Sequence, residues 1–226
     1  LFDARDEFLG DRSADDLVLE RIARPGLARL ERQLDAGELA RTAGLAQPGR
    51  PSPSLVSAID IAPTVLAVAG LPAASTMQGV SFLPVLKNPA ATVRQHAFSE
   101  HNWHDYEAHG RAVRSEGFLY IFNHRPALAW QGPADSVRGP SHQALRAARS
   151  AGPLTPAQAD VFLAPRPSEE LYDTAADPLQ LKNLAADPQH RGTKIRLAKL
   201  LAEWSDATGD TVPAQLTGDG FDRETG

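Results

Sequence analysis

The sequence predicts an α/β chain, α+β in its visible arrangement: a small antiparallel sheet backed by a long C-terminal helix. Three observations predict it. Phe118, Tyr120 and Phe122 alternate with Leu119 and Ile121 after a Glu116-Gly117 turn, which splits residues 111–123 into a hairpin. Leu197, Leu200, Leu201 and Trp204 fall at i, i+3, i+4 and i+7, the stripe of an amphipathic helix. Residues 55–70 form the most apolar stretch of a 226-residue chain that is 42% hydrophobic and 23% charged, enough to bury a core.

The elements follow in order. Residues 1–50 are rich in Arg and Asp, and Leu17, Leu19, Ile22, Leu27, Leu30 and Leu34 predict one or two amphipathic helices broken at Pro25-Gly26. QPGRPSPS (47–54) is a linker or loop. In LVSAIDIAPTVLAVAG (55–70), Asp60 is read as an N-cap, Pro63 suits the first turn, and Gly70 takes the left-handed stop. GVSFLPVL (79–86) is read as a short apolar strand after a turn. RQHAFSE (94–100) and the 111–123 hairpin are strands. Residues 126–140 are loop-like, 143–150 a short helix, and Thr155-Pro156 a helix start. ELYD (170–173) is a strand, 194–204 the clearest helix, and Gly209 its end. The tail from Pro213 to Gly226 is polar and glycine-rich and reads as mobile. Asp177-Pro178 reads as a turn, Tyr172 is expected to pack under the sheet, and Asn183 to bind backbone.

Composition excludes several functions. The chain contains no cysteine, so disulfides, thiolate metal sites and a cysteine nucleophile are excluded. The formal net charge of −5 argues against nucleic acid, and no apolar run is long enough for a membrane span. Leu1 to Gly10 does not read as a signal peptide, since it carries Asp3, Arg5, Asp6 and Glu7.

Three stretches together resemble the C-terminal third of the sulfatase family. SLVSAIDIAPTVLAVAGLP followed by QGVSFLPVL (54–86) is similar to the family's D-x-x-P-T-x-L-x-x-A-G helix and G-x-S-x-x-P-x-L segment. RAVRSEGFLYIFN (111–123) is similar to its R-x-V-R-T-x-x-Y-K-Y-I-x-N hairpin. ELYDTAADPLQLKNLAADP (170–188) is similar to E-L-Y-D-L-x-x-D-P-x-E-x-x-N-L-A. The order and spacing are the family's. The longer insert before ELYD and the closing LAKLLAEWSDATGD look most like heparan N-sulfatases (N-sulfoglucosamine sulfohydrolases).

The resemblance implies a division. Residues 1–53 are unassigned, and either a shifted reading frame or an insertion would account for them. Residues 54–92 would end an alkaline-phosphatase-like sulfatase catalytic domain, 93–212 form the C-terminal subdomain, and 213–226 a flexible tail. It also implies hydrolysis of sulfate esters or N-sulfate groups on a sulfated, heparan-type sugar by an enzyme using calcium and a formylglycine. A hard cation suits sulfate because it offsets charge on the transferred oxygens. The formylglycine arises from Cys or Ser in C/S-x-P-S-R. Ser52-Pro53-Ser54-Leu55 lacks that pattern, Asp15-Asp16 sits in a charged run, and no D-N-G or D-H-G metal segment is present. No catalytic residue and no metal ligand is therefore assigned in this chain. It is expected to be inactive and of marginal stability alone, with an N-terminal catalytic portion missing and the intact enzyme periplasmic or secreted.

One cluster suggests chemistry. EHNWHDYEAHGR (100–111) brings His101, His104, His109 and Arg111 together with an indole and carboxylates. Imidazole and guanidinium groups bind sulfate or carboxylate, and indole stacks on a pyranose. The resemblance implies substrate contacts from His101, His104, His109 or Arg111. A solvated surface loop is the bland alternative. A zinc site fits poorly, because H-x-x-H and H-x4-H match no H-E-x-x-H helix. A non-catalytic module for anionic glycans and a phosphodiesterase of the same superfamily remain as other functions. Upstream nucleotide sequence would test the sulfatase reading; binding of heparin or glucosamine sulfate without hydrolysis, even with calcium added, would favour the module, and aryl sulfate against aryl phosphate turnover would tell the phosphodiesterase apart.

Overall fold

A computed structural model describes residues 51–103, 107–129, 132–216 and 218, in two units, 1–94 and 95–226. The helices expected within residues 1–50 lie outside the described residues.

In the first unit, helix α1 is Ile61–Val68, preceded by a 3-10 turn at Ala58–Asp60. Pro63 lies in its first turn, where its missing N–H costs no hydrogen bond. Gly70 takes the left-handed conformation (φ 72°) as expected, and Leu71 N donates to Leu66 O at 2.8 Å. Asp60 does something other than cap α1. Its carboxylate is fully buried and accepts from Ser57 N (2.8 Å), Val80 N (2.8 Å), Arg94 Nε (3.0 Å) and the Arg94 terminal amine. It therefore ties three separate stretches of chain to one point. Burial alone would raise the carboxyl pKa, but the Arg94 guanidinium and the two backbone donors outweigh it and hold it below the ordinary range.

Thr64 extends the knot: its hydroxyl donates to Asp60 O (2.6 Å) and accepts from Phe82 N (2.9 Å). The segment at 79–86 crosses so close that a Cβ on Gly79 would stand 2.0 Å from Ile59 O, so glycine is required there by contact. This segment forms no strand. Leu83–Lys87 is a short helix, α2, with Pro84 in its first turn. Val56, Ile59, Ile61 and Leu71 of this unit are exposed.

The second unit is a meander of four antiparallel strands in order β1-β2-β3-β4: His96–Trp103, Glu107–Ser115, Phe118–Asn123 and Glu169–Asp173. Glu116 and Gly117 both have positive φ (52° and 80°), the geometry of a two-residue turn matching strand twist. Between β3 and β4 lie α3 (Ala134–Val137), α4 (Pro140–Ala151) and α5 (Pro156–Ala159), the last capped by Thr155 through Gln158. Helix α6, Arg191–Thr208, ends at left-handed Gly209 (φ 67°).

Residues opposite each other in the ladder share a face. Phe98, Val113, Tyr120 and Leu171 form one such row, and Leu197 and Leu201 of α6 cover it. Phe98 stacks on Trp204 with ring centroids 5.1 Å apart. Tyr172 is buried, and its hydroxyl donates to Glu170. Asn183 accepts from Leu171 N and Ala185 N and donates to Glu169 O, pinning its loop along β4.

Asp60→Ala should destabilise the first unit by about 3–5 kcal/mol, since it removes the buried carboxylate that Arg94 and two backbone N–H groups share. Hydrogen exchange at Val80 and Phe82 reads this out. Unchanged protection there would show that the carboxylate does not hold the unit together.

Candidate functional site

The next row of the same sheet face changes character. Glu100, Arg111, Phe122 and Glu169 lie opposite one another, one step toward the β1–β2 turn. Arg111 is 2% exposed, and its Nε and Nη2 donate to the two carboxylate oxygens of Asp210 at 2.7 and 2.8 Å. Its Nη1 donates to Gly110 O at 3.0 Å, and Glu100 stands 3.9 Å away. The Asp210 hydrogen bonds outweigh burial and raise the guanidinium pKa further, so this charge is permanent. Asp210 follows the stop of α6, so the pair ties that helix end to β2.

His109 is buried with an unusual positive φ of 41°. Its Nε2 lies 3.9 Å from Glu107 Oε1, and its Nδ1 has no hydrogen-bond partner among the described residues. Glu107 is buried and accepts from Arg125 Nε at 2.7 Å. Arg125 also donates to Pro213 O, so the chain beyond α6 is held a second time. Burial lowers the His109 pKa, and Arg111 beside it lowers it again, while Glu107 opposes. His124, edge-on to Phe122 at 4.7 Å, is lowered by burial and by Arg111 and His109. Both imidazoles are thus neutral at pH 7.

The four predicted residues separate. His101 is half-buried in β1, opposite Gly110. His109 and Arg111 lie buried in β2. His104 lies outside the described residues. Sequence reasoning missed Glu107, Arg125 and Asp210. Asp210 stands 99 residues from Arg111, and no local pattern signals such a pair.

A second buried network anchors the insert between β3 and β4. Asn123 Nδ2 donates to Pro167 O (2.7 Å) and Glu170 Oε1 (2.6 Å), and Arg166 Nε reaches Glu170 Oε1 at 3.4 Å. Among the described residues no group of three or more His, Cys, Asp or Glu is placed to hold a metal ion. Asp60, Glu107, Glu169, Glu170 and Asp210 are each tied to an Arg or Lys. The described residues therefore do not fit the calcium that the family resemblance implies, nor does any of them match the formylglycine motif. No helix among them is long and apolar enough to cross a membrane.

Asp210→Ala should cost about 3 kcal/mol, because it strands a buried guanidinium. Urea unfolding followed by Trp204 fluorescence measures it, and a midpoint equal to wild type would refute the role. His109 and His124 have folded pKa values below their unfolded 6.5. Above that value both states are neutral and their contribution to stability is complete. Below it the unfolded chain binds protons that the folded chain does not, so stability falls with pH until the folded pKa is passed. His109→Asn tolerates positive φ and cannot titrate. Its unfolding midpoint should fall less steeply than wild type between about pH 6.5 and 5, above the range where the carboxylates titrate. Parallel slopes would show that His109 does not titrate differently on folding.

Comparison with known proteins places these residues in context. Residues 34–121 match the family described as N-sulphoglucosamine sulphohydrolase, C-terminal. An ulvan-active sulfatase of Formosa agariphila is 37% identical over 160 residues, covering 70% of this chain and 26% of that protein. A second ulvan-active sulfatase of the same organism is 26% identical over 184 residues, covering 80% and 34%. Among solved structures, a 2-O GAG sulfatase aligns with TM-score 0.46 and 20% identity over 71% of this chain and 27% of its own. Another, solved with its substrate D-glucosamine-2-N,6-O-disulfate, aligns with TM-score 0.45 and 23% identity over 71% and 26%. This chain spans about a quarter to a third of the curated relatives it matches.

Proposed function

We propose that this chain, which carries a C-terminal sulfatase domain, is the sugar-recognition portion of an enzyme that hydrolyses sulfate esters or N-sulfate groups of a sulfated saccharide. The observation that carries this reading is one of position. The family match runs through residues 101–111, the segment that gathers three histidines and Arg111 at the β1–β2 end of the sheet.

The geometry supports a division of labour there. Arg111 and Arg125 are already paired with Asp210 and Glu107, so their charges are spent on the fold. His109 is neutral and buried. These three residues hold the described end of β2 in place. His101 and His104 make the polar contacts to the sugar, an imidazole donating to a sulfate oxygen. The finer reading is an N-sulfated glucosamine of a heparan-type glycan in a periplasmic or secreted setting. It is supported by the description of the matched family and by the long insert between β3 and β4. Calcium and a formylglycine would come from sequence outside the described residues, and no step is assigned to them.

The test is titration of the full chain with glucosamine N-sulfate and with ulvan oligosaccharide, followed by amide shifts, alongside a sulfate-release assay with calcium present. Glucosamine N-sulfate should shift the amides of residues 101–103 and 107–111 without release of sulfate. His101→Ala should weaken that binding about tenfold, the loss of one charge-assisted hydrogen bond. Binding of ulvan alone would overturn the heparan-type reading. Turnover by this chain would overturn its role as a recognition portion, and binding of neither saccharide would overturn both.

A further inference from the structure

Beneath the C-terminal half of α6 lies a cavity of about 570 Å³, within the range of small-molecule sites. It lies wholly in the second unit. Its cause is legible in the packing. Where the sheet face passes from the Val113–Tyr120–Leu171 row to the Arg111–Phe122–Glu169 row, the helix above presents Ala198, Ala202 and Ser205. Small side chains over a floor of Phe122 and His124 leave the space unfilled.

The polar groups of the cavity divide by partner. Arg111 is neutralised by Asp210. Glu169 accepts from Lys194 Nζ and the Tyr120 hydroxyl, both at 2.9 Å. His124 is neutral. Asp206, exposed at the mouth, has no hydrogen bond or ion pair from its carboxylate to any described residue. The cavity therefore carries one uncompensated negative charge, an aromatic floor, and hydroxyl and carboxylate groups on its walls.

We propose that this cavity is a binding site for an amino sugar bearing a free ammonium group, sharing Arg111 with the histidine segment but none of its histidines. The ammonium pairs with Asp206, the apolar face of the pyranose lies on Phe122, and ring hydroxyls bond to Ser205 and Glu169. A sulfated or carboxylated unit is repelled by Asp206, and an N-acyl unit lacks the charge. The inference rests on the saccharide reading above and deepens it. Hydrolysis of a sulfamate, R–NH–SO3⁻ with water, breaks the N–S bond and gives R–NH3⁺ and SO4²⁻. The site would thus accept the unit that N-desulfation creates and reject the one it consumes.

The experiment is titration of the full chain with glucosamine, N-acetylglucosamine, glucosamine N-sulfate and cyclohexylamine, with amide shifts read separately at 122, 202 and 205 and at 101–103 and 107–109, since Arg111 lines the cavity itself. Glucosamine should saturate with shifts at the cavity. Asp206→Asn should weaken it about tenfold and Ala202→Phe should abolish it, with circular dichroism of both variants unchanged. N-Acetylglucosamine should cause no shift at the cavity residues. Absence of cavity shifts with glucosamine, equal affinity of Asp206→Asn, or equal binding of glucosamine N-sulfate at these residues would overturn the proposal. So would cyclohexylamine binding as tightly as glucosamine, which would make the site one for amines in general. Shifts at 101–103 and 107–109 with glucosamine N-sulfate would leave the recognition reading standing while this inference fell.

Discussion

The ion pair between Arg111 and Asp210 is the contact on which the arrangement of the second unit depends. A guanidinium in the middle of a buried strand is costly to desolvate, and only a bidentate partner in good geometry offsets that. The partner is supplied from the far end of the chain, just past the stop of α6. The last turns of the helix are therefore drawn over the polar row of the sheet, and its apolar stripe is aligned on Val113, Tyr120 and Leu171. The same positive charge lowers the proton affinity of His109 and His124. One contact thus sets the position of the helix and the roof of the cavity, while the two histidines are lowered first by their burial and only then by Arg111.

The first unit is organised by the same principle with the sign reversed. There the buried charge is a carboxylate, Asp60, and the compensating groups are Arg94 and two backbone N–H groups. In both units a single buried ion gathers segments far apart in sequence. Apolar packing alone specifies such arrangements weakly, because it is non-directional. A buried charge tolerates few positions for its partners.

Local physics was legible in the sequence, and long-range pairing was not. The Glu116-Gly117 hairpin, the stops at Gly70 and Gly209, the Leu197–Leu201 stripe and the Thr155 cap all follow from residues a few positions apart, and each is found. GVSFLPVL misled as a strand because a five-residue helix, begun next to Pro84, shows too few turns for a helical period to register. Asp60 looked like an N-cap because of its place before α1, yet Val80 and Arg94 claim its oxygens from 20 and 34 residues away. At the candidate site the histidine segment stood out by composition. The partners that fix its state, Glu107, Arg125 and Asp210, are ordinary charged residues whose role comes only from folding.

That difference bears on how an anionic sugar would be recognised. A row of histidines and arginines suggests a ready positive field, but the arginines near this end are matched by carboxylates and the two buried imidazoles are neutral. Long-range attraction from this end of the sheet is consequently weak. On the proposed reading, discrimination would fall to directional hydrogen bonds, which sense where a sulfate oxygen lies more than how much charge the ligand carries. A rigid, internally neutralised base is what such recognition requires. A free arginine would attract any anion, whereas a donor held by a locked strand favours the one whose acceptor arrives in the right place.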